Sequence, residues 1–107
     1  MSKEDLNRLL IELKRGLQNL YGEQLFTVLL YGSYARGEQK LESDLDILII
    51  LDNYTVYSQE IKRTSELTSV LSLIHGISIS RKFLRKAFWQ TGDTLLIRSV
   101  RSEGIPT

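Results

Sequence analysis

Asp44 and Asp46 stand one residue apart at the mouth of an apolar run, and Gly32 and Ser33 directly follow another. Alternate residues of a strand point the same way, so this spacing sets two carboxylates side by side. Like charges held that close repel, and a bound cation relieves them. A pair of hard oxygen ligands suits Mg²⁺, which takes one or two carboxylates and completes its shell with water and substrate phosphates. At the other end of the insert, Gly32 lets a ligand approach the backbone, and Ser33 begins a helix whose free N–H groups attract anions. Together they describe a nucleoside triphosphate gripped at its phosphates. Plainer readings stand beside these. Asp44 can sit in a turn, and Ser33 can simply cap its helix. Arg36 touches a phosphate or pairs with Glu38 or Glu42, and Gly37 ends the helix.

These residues need two adjacent strands and a tight connection to hold them. Leu25–Tyr31 is apolar and partly β-branched or aromatic, as a buried strand would be. A one-turn helix over Ser33–Arg36 accounts for the glycines on either side. Leu45–Leu51 is apolar on both alternating faces, which predicts a central strand covered on both sides. Leu6, Leu9, Leu10, Leu13, Leu17 and Leu20 recur at steps of three and four, which predicts a helix over residues 3–21 stopped by Gly22. A second long helix is expected over residues 55–74, with Leu67, Val70, Leu71 and Ile74 as its stripe and no obvious N-terminal cap. Gly76 stops it, and a short strand follows with Ile77 and Ile79 on one face. Phe83, Leu84, Ala87 and Phe88 then share a helical face. A last helix spans 93–102, capped by Asp93 and ended by Gly104. The order α-β-α-β-α-β-α-α predicts an α/β (α+β) domain with a small mixed sheet packed with helices.

The 107 residues suit one domain, 1–107, with a single core. A formal net charge of +1 argues against a general nucleic-acid binder. No apolar run is long enough for a membrane span, and the charged start lacks the apolar stretch of a signal peptide. The chain has no cysteine, which removes disulfides, thiolate zinc sites and thiol nucleophiles together. A cytoplasmic location is the default expectation.

Gly32-Ser33, ten intervening residues, then Asp44-Leu45-Asp46 resembles the signature of the DNA polymerase β-like nucleotidyltransferase superfamily. The wording GSYARG…SDLDILI is similar to its minimal nucleotidyltransferases, and the order of elements fits from end to end. The resemblance implies transfer of a nucleoside monophosphate from ATP to a hydroxyl with release of pyrophosphate. Asp44 and Asp46 would hold one or two Mg²⁺ ions, and Gly32 and Ser33 would orient the leaving phosphates. It also implies a partner, a HEPN-domain ribonuclease toxin, one of whose tyrosines would be adenylylated and the toxin thereby neutralised. The superfamily usually adds a third acid from a later strand. Here that strand reads GISIS, so Ser78, or Ser80 one repeat on, stands where the acid would be and could offer the metal only a neutral oxygen. Two other functions follow from the same residues: an antitoxin that inhibits by binding alone, and a stand-alone transferase acting on a small molecule.

The remaining candidates are weaker. His75, the one histidine, sits at a helix C-terminus, where a cation is favoured. Ser58, Ser65 and Ser72 read as solvated helix positions. Six basic residues between Arg81 and Arg101 face one acid, Asp93, which describes either a steering patch or a solvated face. Trp89 sits at the core's edge or anchors an interface.

Overall fold

The structure is a computed structural model and describes all 107 residues. Helix α1 (Lys3–Tyr21) begins at Ser2, whose hydroxyl accepts from the Asp5 amide while the Asp5 carboxylate accepts from the Ser2 amide. Its leucine stripe buries Leu9, Leu13 and Leu17. Strand β1 (Leu25–Tyr31), helix α2 (Ser33–Arg36) and strand β2 (Leu45–Leu51) follow with the bounds the sequence predicts. Helices α3 (Tyr57–Arg63) and α4 (Ser65–His75) lead to strand β3 (Ile79–Arg85). Helices α5 (Lys86–Thr91) and α6 (Leu95–Glu103) precede a short strand β4 (Ile105–Pro106).

The strands form one mixed sheet in the order β3-β2-β1-β4. β1 runs antiparallel to β2 and β4, and β2 runs parallel to β3. Leu45, Ile47, Ile49 and Leu51 point to one face with Phe83 and the α1 leucines. Leu48 and Ile50 point to the other, against Leu29, Tyr31 and Val100. A helix layer therefore covers β2 on each side, as its apolar run from Ile47 to Leu51 requires.

Four expectations change. The helix expected over 55–74 is two helices, broken at Thr64. There the Thr64 hydroxyl donates to the Glu60 and Ile61 carbonyls, and the Arg81 guanidinium donates to Thr64 Oγ1 and the Ile61 carbonyl oxygen. The Glu60 carbonyl keeps its bond from the Thr64 amide, while the Ile61 carbonyl accepts from the Thr64, Ser65 and Arg81 side chains at the break. Phe83 and Leu84 are in β3, not in a helix, and the third strand runs to Arg85 instead of ending at residue 80. Seven residues of parallel pairing with β2 override a stripe of which only Ala87 and Phe88 are helical. Thr94, not Asp93, caps α6 by accepting from the Ile97 amide, while Asp93 turns to Arg98 at 2.7 Å. β4, unforeseen, closes the free edge of β1.

Candidate active site

The end of β1, the turn into α2 and the start of β2 meet at one end of the sheet, on its two inner strands. Tyr31 lies opposite Asp46 in the antiparallel ladder, so the residue after it, Gly32, is brought beside the carboxylate. Gly32 has a positive φ of 76°, a conformation costly for any residue with a side chain. Space gives a second reason: a Cβ there would overlap Asp46 Oδ2. The two ends of the insert from Gly32 to Asp46 are therefore in direct contact. Gly37, also at positive φ, closes α2 after one turn.

Asp46 is half-buried and Asp44 exposed. Burial first, then the charge of Asp44, push the Asp46 carboxyl above the ordinary carboxylate range, while Lys82 and Arg36 draw it partly back. Tyr31 is pushed up to about 12, by burial and then by the Asp46 charge. A cation between the aspartates would relieve this repulsion, so the donor set fits a divalent ion. It remains a two-carboxylate set, since no group of three or more His, Cys, Asp or Glu side chains is placed to hold a metal. Mg²⁺ in nucleotide sites is commonly held by that few, with substrate phosphates supplying the rest.

The parallel register sets Ser80, not Ser78, against Asp46. Even-numbered residues of β2 and β3 share a face, so Ser80 and then Lys82 stand alongside Asp46 and Leu48. Ser78 lies before β3, exposed, and its carbonyl accepts from the Leu45 amide at 2.9 Å.

Arg36 pairs with Glu38 at 2.5 Å, one of the two acids named for it, and not with Glu42. It also donates to both carboxylate oxygens of Glu103, at 3.0 and 3.1 Å. The same Glu103 accepts from the Gly32 amide at 3.3 Å and from the Ser99 hydroxyl at 3.1 Å. Glu103 is the site residue that the sequence reading missed. Nothing near it in the chain marks it, because 71 positions separate it from Gly32.

The basic residues between Arg81 and Arg101 do not form one patch. Arg81 turns inward to α3, and Arg85 donates to the Tyr54 carbonyl. Lys86 lies over the Phe26 ring, Arg98 pairs with Asp93, and Arg101 lies over Trp89. Lys82 alone is exposed and next to the aspartates. Trp89 packs at the edge of the second core, and His75 faces Glu12 at 3.3 Å.

The family model described as polymerase beta, nucleotidyltransferase matches residues 12–104. A Methanocaldococcus jannaschii protein named "Putative protein adenylyltransferase" is 31% identical over 94 residues, 88% of this chain and 90% of its own length. A chain in the crystal structure of a toxin-antitoxin with AMP-PNP superposes with a TM-score of 0.63 at 21% identity, covering 92% of this chain and 69% of that one. A structure of tri-AMPylated Shewanella oneidensis HEPN toxin in complex with MNT antitoxin gives 0.56 at 16% identity, over 92% and 70%. At such identities the structural likeness is one of fold.

Proposed function

The chain belongs to the polymerase β nucleotidyltransferase family, and from that membership we propose that it is an Mg²⁺-dependent protein adenylyltransferase. It transfers AMP from ATP to a tyrosine hydroxyl of a HEPN-type ribonuclease toxin and so serves as that toxin's antitoxin. The observation that supports this reading is the contact of Gly32 with Asp46, which brings the two ends of the insert together. The names of similar proteins support a protein acceptor: one is called "Putative protein adenylyltransferase", and another is an MNT antitoxin in complex with a tri-AMPylated HEPN toxin.

Asp44 and Asp46 would hold the ion, which neutralises phosphate charge as it develops. Gly32, Ser33 and Arg36 would hold the β- and γ-phosphates. The acceptor oxygen bonds to the α-phosphorus as the bond to the β-phosphate bridging oxygen breaks, and pyrophosphate leaves. A tyrosine hydroxyl, with a pKa of about 10, gives up its proton reluctantly at neutral pH. Ser80, opposite Asp46, supplies no carboxylate to take it. Incubation with Mg²⁺, labelled ATP and a HEPN partner tests the reading. Label should appear on the partner and vanish with Asp44→Asn plus Asp46→Asn.

Ser80 in the place opposite Asp46 also favours a second reading, neutralisation by binding alone. Under that reading the same double substitution leaves toxin inhibition in cells unchanged.

A further inference from the structure

We propose that Glu103 is a built-in stand-in for substrate phosphate, a positioning residue that keeps the Gly32–Arg36 cradle formed and must leave before a triphosphate can enter. The inference rests on the phosphate-binding reading of that turn. The cradle already holds an anion. One carboxylate accepts from the Gly32 amide at 3.3 Å and from Arg36 at 3.0 and 3.1 Å. Backbone N–H and guanidinium are the donors a phosphate oxygen would use, and a carboxylate matches a guanidinium in the same two-oxygen manner. The bonds to Arg36, to Ser99 and to Gly32 hold the Glu103 carboxyl below its usual range, so it carries full charge at neutral pH.

The position of Glu103 lets its side chain leave without unfolding the core. It is the last residue of α6, with its side chain 20% exposed, and the chain beyond it makes only a two-residue strand. Nor does Glu103 serve as the missing third acid, since no three-carboxylate group is placed to hold a metal. Its partners are the donors at the phosphate end. The cost of displacing it falls on phosphate binding and leaves adenosine untouched.

Binding of ATP, of inorganic tripolyphosphate and of adenosine, each with Mg²⁺, tests this by calorimetry on the full chain. Glu103→Gln removes the charge and keeps the shape. It should tighten both polyphosphate ligands by about threefold to tenfold and leave adenosine unchanged. Ser99→Ala, which frees Glu103 on one side, should tighten them less. Glu38→Gln removes an equal charge from Arg36 but no bond to Gly32, and should change affinity less than about twofold. Equal or weaker polyphosphate binding by Glu103→Gln overturns the inference and leaves the proposed function standing. Equal tightening by Glu38→Gln also overturns it, because net charge alone then explains the gain. Absence of polyphosphate binding in the parent and every variant overturns the inference and the phosphate reading together.

Discussion

Along β2, Leu45, Ile47, Ile49 and Leu51 face α1 and α4, whereas Asp46, Leu48 and Ile50 face α5 and α6. The first face is aliphatic from end to end and fully enclosed. The second starts with a charged, half-buried side chain and becomes apolar only deeper in the sheet. One strand thus carries a closed core on one side and an open chemical edge on the other. Pleating separates the two, since neighbouring residues along the strand never share a face. The chain can therefore keep an electrostatically unfavourable carboxylate pair next to its best-packed residues. The repulsion is confined to the edge, and the core on the opposite face absorbs its cost.

The sharpest way to break this comparison is to change adjacent residues of β2 and ask different questions of each. Asp44→Asn plus Asp46→Asn should reduce AMP transfer by about 10³-fold or more, the loss of several kcal/mol of charge stabilisation. The folded state should survive, seen as an unshifted or higher melting temperature. Ile47→Ala, on the other face, should do the reverse. Removing a fully buried side chain from the first core should cost about 2–5 kcal/mol in urea unfolding. Transfer per folded molecule should hold. Loss of transfer in a fully folded Ile47→Ala protein would mean that the two faces are mechanically coupled.

The legibility of the two regions in the sequence also differs. Both strands of the site, the one-turn helix and the carboxylate spacing follow from local patterns, because each is set by residues within a few positions. The leucine stripe of α1 is local in the same sense. What the sequence hid depends on pairing across the chain. Phe83 and Leu84 carry a helical spacing, yet the free edge of β2 recruits them into a strand. The break at Thr64 requires Arg81 from β3 to reach its hydroxyl. The choice between Ser78 and Ser80 turns on a register that only the parallel ladder sets. Glu103 is the extreme case, a helix-end acid whose partners Arg36 and Gly32 lie 67 and 71 positions earlier in the chain.

That register gives the next test. Ser80→Asp adds a third carboxylate opposite Asp46, and Mg²⁺ affinity should rise by about tenfold, near 1.4 kcal/mol. Ser78→Asp, exposed and outside the ladder, should change it little. Titration calorimetry with Mg²⁺ decides between them. Tighter binding by Ser78→Asp alone would mean that the sheet edge is turned differently from the register described.

The smallest expected effect concerns Asp46 by itself and the sign of its contribution to stability. Burial and Asp44 raise its carboxyl, so the fold favours the protonated form more than the unfolded chain does. A group raised in this way gives its full stabilisation below its unfolded pKa and loses it as pH rises through the folded value. At neutral pH the ionised Asp46 is therefore a net cost, reduced but not cancelled by Lys82 and Arg36. Asp46→Asn should then raise the melting temperature at pH 7 by roughly 1–2 °C, corresponding to well under about 1 kcal/mol at a partly solvent-screened site. The gain should shrink as pH falls, because the protonated aspartic acid and asparagine are nearly alike in charge and shape. A variant less stable than the parent at pH 7 would show that Lys82 and Arg36 outweigh burial and Asp44. The edge would then be as well satisfied as the core behind it.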